Sequence, residues 1–237
     1  MGGSSFSKFY RAALEGKGDP WDGTIKEVSV NKKADYSNRQ ITPMHCACIN
    51  PWSTGPLEAM FRISPDLSIA DTDQRKLVHY AAACSEVGAL AFLCEKGANL
   101  EEKDRAGQTP LMTACRVGRE NTSDFIIEKL SQLQTDERIV KKFGRGGVDR
   151  PGKDSWSPLH IAVAEQNYEV VRVLFKHGAT PDKQLGTKYD KMTALMLAAA
   201  NGDLAMVRLL IENRAKIEKP DRYNRTALTH VCDTIRL

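Results

Sequence analysis

A short pattern repeated six times constrains this chain more than any other feature. Thr42-Pro-Met-His45, Lys76-Leu-Val-His79, Thr109-Pro-Leu-Met112, Ser157-Pro-Leu-His160, Thr193-Ala-Leu-Met196 and Thr226-Ala-Leu-Thr229 begin at intervals of 34, 33, 48, 36 and 33 residues, by subtraction of their first positions. Four intervals lie near one period, and the 48 is that period enlarged by an insertion. The copy from Ser157 to Asp182 shows what each one encodes. Ser157 is a good N-cap, and Pro158 stands at the first helical position, where its missing N–H costs nothing. Leu159, Ala162 and Val163 give a narrow apolar stripe, and Asn167 is suited to break the helix in a left-handed conformation. Val170, Val171, Leu174 and Phe175 then mark a second helix that Gly178 ends. A hairpin this short cannot bury its own apolar face, so each copy must stack on its neighbours.

Composition narrows the reading further. With 34 Lys and Arg against 30 Asp and Glu, the formal charge of +4 gives no basic field of the kind nucleic-acid binders carry. No apolar run approaches the roughly 18 residues a membrane span requires, and Met1–Tyr10 lacks the apolar core of a signal peptide. Expectation is therefore a soluble intracellular protein, cytoplasmic with the nucleus open to it. The six cysteines invite a metal reading around His45-Cys46-Ala47-Cys48. However, Cys48, Cys115 and Cys232 share one repeat position with Ala82, Val163 and Ala199, where a thiol serves as a small buried hydrophobe. Zinc would need four converging ligands, and no second pair is suitably spaced. No cofactor, metal or disulfide is expected.

The run S/T-P-L-H-x-A, then V-V-x-L-L, then G-A resembles the ankyrin-repeat pattern, and the match covers most of the chain. The resemblance implies an all-α solenoid of stacked helix-turn-helix units joined by hairpin-like fingers. On this reading residues 1–33 form an N-terminal cap. Residues 34–237 form the array, with about five full repeats and half a sixth, interrupted by an insertion at about 131–152. The cap draws on Phe6, Phe9, Tyr10, Ala13 and Leu14, with Trp21, Ile25, Val28 and Val30 as a second helix or lid. Since only one short helix fits after Thr226, the chain is expected to be a piece of a longer array. Leu130 stands where Gly97 and Gly178 end other second helices, so that helix should overrun. The insertion then reads as a helix from Thr135 to Gly144 and a flexible loop from Arg145 to Gly152, with Lys141, Lys142, Arg145 and Arg150 as a basic feature.

Three classes of function are compatible with a repeat array: a protein-binding scaffold, an enzyme, or a passive spacer. No G-x-S-x-G, Walker loop or kinase signature occurs, and the recurrence of His45, His79 and His160 at one position suggests a structural hydrogen bond, not catalysis. A spacer has no use for irregular fingers. The family resemblance implies a scaffold or targeting module that binds a partner protein on its fingers and first helices. As an alternative it would be the non-catalytic region of a larger enzyme or channel. The expected partner is another protein, without nucleic acid or membrane, and the chain is expected to be monomeric. Tyr36, Arg105, Trp156, Tyr189, Arg222 and Tyr223 are the finger residues of types that anchor interfaces. Their side chains are expected to contribute little to the core, the alternative for Trp156 being that it packs on a neighbouring finger.

Overall fold

The computed structural model describes residues 40–63, 66–134 and 147–235. The cap at 1–33, Tyr36 and the insertion residues 135–146 lie outside them. Eleven α-helices occur among the described residues: α1 Pro43–Cys48, α2 Gly55–Ile63, α3 Leu77–Ala82, α4 Gly88–Glu95, α5 Pro110–Val117, α6 Glu120–Gln134, α7 Pro158–Ala164, α8 Tyr168–Lys176, α9 Ala194–Ala200, α10 Leu204–Glu212 and α11 Ala227–Ile235. Each first helix begins one residue after the Ser, Thr or Lys that opens its repeat. None is long and apolar enough to cross a membrane. The chain divides into two compact units, Met1–Pro110 and Leu111–Leu237.

In the first unit α1 packs on α2 and α3, and α3 on α4. Its core is Met44, Leu57, Met60, Leu77, Leu90 and Leu93, all sealed from solvent. In the second unit α7 packs on α8 and α9, α8 on α6, and α9 on both α10 and α11. Ile126, Ile127, Leu159, Val171, Leu174, Met196 and Leu210 fill that core. Burying such side chains contributes roughly 1.5–3 kcal/mol each, which offsets the weak intrinsic stability of helices six to nine residues long. As Leu130 suggested, α6 overruns to 15 residues.

Three expectations require correction. Gln166, not Asn167, takes the left-handed conformation between α7 and α8, with φ 57°. Asn167 instead opens α8 at φ −85° and reaches across to the end of α5, where its Nδ2 donates to the carbonyls of Cys115 (2.7 Å) and Arg116 (3.1 Å). Those are carbonyls the helix itself leaves unpaired. Gly118 makes room for it, since a Cβ there would sit 2.7 Å from Asn167 Oδ1 and φ is +74°. The stretch 147–152 is anchored rather than loose. Asp149 accepts from the Thr180 N–H (3.1 Å) and hydroxyl (2.5 Å), and its carbonyl accepts from Lys183 Nζ at 2.8 Å. Finally, Cys232 is exposed while Cys48 and Cys115 are fully buried, because nothing among the described residues packs over that face of α11.

Burial pushes the Cys46 and Cys115 thiols up to about 12 and raises Cys48 as well. Under native conditions a maleimide should therefore label Cys232 readily and leave Cys46, Cys48, Cys84 and Cys115 unmodified, as peptide mass mapping would show. Fast labelling at Cys48 or Cys115 would contradict the packing. Asn167→Ala should lower stability by about 1–3 kcal/mol, because it strands two helix-end carbonyls, and urea denaturation would read this directly.

Candidate functional site: the finger ladder

Three of the fingers are built by aspartate. Asp71, Asp104 and Asp221 each receive two main-chain N–H groups on Oδ1, from residues two and four further on: Asp73 and Arg75, Ala106 and Gln108, Tyr223 and Arg225, all at 2.8–2.9 Å. In each finger the aspartate N–H also donates to the carbonyl four residues on, closing the hairpin. The residue between takes a left-handed conformation: Gln74 at φ 61°, Gly107 at 73° and Asn224 at 63°. Sequence reading placed these segments but missed the organising carboxylate. Its signal is Asp three positions before a Gly, Asn or Gln and five before the Ser, Thr or Lys helix start. Burial alone would raise the Asp221 carboxyl. Hydrogen bonds from the Arg225 backbone and guanidinium, the Tyr223 N–H and His230 outweigh it and hold the group below the ordinary carboxylate value.

Neighbouring fingers are tied by main-chain bonds. In the first unit the Arg105 N–H donates to the Asp73 carbonyl at 2.7 Å. In the second unit Gly186 donates to Asp154, and Arg222 to Asp190, both at 2.7 Å. A Cβ on Gly186 would lie 3.0 Å from the Asp154 carbonyl oxygen, so this approach depends on glycine. In three repeats a buried histidine fixes the next finger to the repeat before it. Nδ1 of His45, His79 and His160 accepts the N–H of Thr42, Lys76 and Ser157 at 3.1, 3.1 and 3.4 Å. Nε2–H of each then donates to a carbonyl of the next finger: Arg75 (3.3 Å), Gln108 (3.1 Å) and Lys183 (3.1 Å). Both ring nitrogens are committed, which fixes the neutral tautomer with hydrogen on Nε2. At the fifth repeat Met196 Sδ takes the first bond, from the Thr193 N–H at 3.4 Å.

In the second unit this ladder gathers four of the sequence-derived candidates. Trp156 and Tyr189 are half-buried and meet edge to face at 5.3 Å, and Trp156 also lies against the His160 ring at 6.2 Å. Trp156 therefore follows the alternative reading, packing on the neighbouring finger, and with Tyr189 it contributes more to the stack than expected. Trp156 follows the 3₁₀ turn Lys153–Ser155 and Tyr189 ends the turn Thr187–Tyr189, and the two turns pack together. Tyr223 is 61% exposed, with the Arg222 and Arg225 guanidinium groups 5.8 and 5.3 Å from its ring centre. Arg225 also pairs with Asp221 (2.8 Å) and Asp190 (3.6 Å). Arg105 is exposed on a finger of the first unit. Among the described residues no group of three or more His, Cys, Asp and Glu is placed to hold a metal ion.

Family models described as "Ankyrin repeats (3 copies)" and "Ankyrin repeats (many copies)" match residues 55–137 and 159–211, together more than half of the chain. The chain belongs to the ankyrin-repeat family. The crystal structure of the ankyrin repeat domain of Bcl-3 shares this ankyrin-repeat fold at TM-score 0.69 and 21% identity, with 97% of each chain covered. A Caenorhabditis elegans protein named poly [ADP-ribose] polymerase tankyrase is 33% identical over 220 residues, which is 92% of this chain and 10% of that protein. The C. elegans transient receptor potential cation channel subfamily A member 1 homologue is 27% identical over 94% of this chain and 17% of its own length. A probable 26S proteasome regulatory subunit p28 from Saccharomyces cerevisiae is 28% identical over 58% of this chain and 54% of its own. The chain thus spans a tenth to about half of the length of these relatives.

His160 carries a pH signature of the finger lock. Burial holds its imidazole down to about 4, below the ordinary histidine value of 6.5. Because the folded value is the lower one, protonation favours the unfolded chain. The contribution is whole above pH 6.5 and is lost as pH falls towards 4, up to about 3 kcal/mol across that window. His160→Gln should flatten this part of the pH–stability curve, measured by urea denaturation at a series of pH values. An unchanged slope would contradict the assignment.

Proposed function

We propose that the chain is a protein-binding module whose partner is captured by the finger ladder of the second unit. One observation carries this reading: Tyr223 and Arg222 are displayed on a rigid, hydrogen-bonded finger yet add nothing to the core. Aromatic and arginine side chains held out by a scaffold are the composition of interface centres, where one truncation removes about 2 kcal/mol or more of binding. Trp156 and Tyr189 support the surface from beneath, and Arg105 offers a similar tip in the first unit. A second reading, that this is the non-catalytic targeting region of a larger enzyme or channel, is favoured by the small fraction that the chain covers of the polymerase and channel relatives. The two readings are compatible, since a targeting region works by binding. Partner identity, oligomeric state and compartment belong to the same proposal: a monomer that meets another protein inside the cell.

Tyr223→Ala should abolish stoichiometric capture of the partner from lysate and shift folding stability by less than about 0.5 kcal/mol. Trp156→Ala should differ, costing roughly 1 kcal/mol or more of stability through its lost edge contacts. If Tyr223→Ala retains full capture while Arg105→Ala loses it, the binding surface belongs to the first unit.

A further inference from the structure

The chemistry of the ladder narrows the class of partner, an inference that rests on the protein-binding reading above. Residues 153–156, 187–192 and 221–225 of the second-unit fingers carry five cations, Lys153, Lys188, Lys191, Arg222 and Arg225, against three carboxylates, Asp154, Asp190 and Asp221. All three carboxylates are committed. Asp221 is buried on main-chain N–H groups and Arg225, Asp190 pairs with Arg225, and Asp154 pairs with Lys188 at 3.8 Å. Lys153, Lys191 and Arg222, one on each finger and all exposed, enter no ion pair among the described residues. Adjacent fingers are held in register by the Gly186 to Asp154 and Arg222 to Asp190 main-chain bonds. The backbone therefore sets the spacing of the positions from which these cations project.

We infer that this edge takes an extended acidic segment of a partner protein, whose carboxylates meet Lys153, Lys191 and Arg222 in turn and whose apolar side chain rests on Tyr223. A polynucleotide fits less well. Single strands bind by stacking successive bases on open rings, whereas the Trp156 and Tyr189 rings are turned edge to face against each other. Exposed rim charges act through steering and register, so binding should weaken as salt rises through the range where screening becomes strong.

The test is selection of a random peptide library displayed on phage against the full chain, followed by titration of the enriched peptides. Enriched peptides should be richer in Asp and Glu than the unselected library. The charge reversals Lys191→Glu with Arg222→Glu should weaken them about tenfold or more at an unchanged denaturation midpoint, and exchanging the peptide carboxylates for lysine should restore binding to the reversed protein. Neutral or basic peptides that are lost in Tyr223→Ala would overturn the acidic class while leaving the finger surface as the binding site. Peptides indifferent to every finger variant, or no enrichment, would overturn both. Tighter binding of oligo-dT or of phosphatidylserine vesicles than of any acidic peptide, abolished by the same reversals, would also overturn the inference.

Discussion

A neutral imidazole, buried between the start of one repeat and the finger of the next, locks three of the fingers to the stack. The short first helices leave N–H groups unpaired at their starts, and fingers have carbonyls pointing into the stack. Each such group costs about 1–3 kcal/mol if buried without a partner. His45, His79 and His160 satisfy one of each at once, accepting on Nδ1 and donating from Nε2. Charge on the ring would remove the acceptor, which is why burial must keep it neutral. Catalysis is a poor use for a ring whose two nitrogens are already bonded.

Main-chain bonding divides the labour along the Asp71, Asp104 and Asp221 fingers. The aspartate that receives two N–H groups shapes the turn, the left-handed residue lets it close, and the main-chain bond to the neighbouring finger sets spacing. None of these uses the side chains at the tip. The side chains of Lys153, Lys191, Arg222 and Tyr223 are thereby left out of the core, and Arg222 and Tyr223 lie against each other on their finger, which lowers the ordering cost of binding there. Trp156 and Tyr189 are intermediate, since their rings stabilise each other and present only one side.

Much of this was legible in the sequence, and the reason is physical. A Ser or Thr before Pro or Ala marks a helix start through local chemistry, and the five such starts fall where that chemistry places them, while the start at Lys76 follows from the repeat period. The overrun of α6 follows from Leu130 standing where a stop glycine would be. The misses concern information that neighbours supply. Asn167 has the right chemistry for a left-handed break, but its amide is drawn to the Cys115 and Arg116 carbonyls, which leaves Gln166 to turn the chain. Cys232 occupies the same repeat position as Cys48 and Cys115 yet is exposed, because burial at that position comes from the next repeat and not from its own. Asp149 looks like a loop residue until Thr180 and Lys183 close on it. The finger aspartates were hidden for a similar reason: their partners are main-chain N–H groups, which carry no residue signature. As for the site, residue types identified its members, while only the structure distinguishes the half-buried Trp156 and Tyr189 from the displayed Tyr223 and Arg222.

Fingers that form a hydrogen-bonded ladder stiff enough to display those side chains must keep their linking amides closed to solvent. Native-state hydrogen exchange of the Gly186 and Arg222 amides reads this without an intermediary, because each would face water if the ladder bonds to the Asp154 and Asp190 carbonyls were absent. Both amides should be protected to nearly the level of α7 and α9, while the exposed tips around them remain open to solvent. Exchange of Gly186 and Arg222 at the rate of an unstructured peptide, with α7 and α9 still protected, would contradict the ladder.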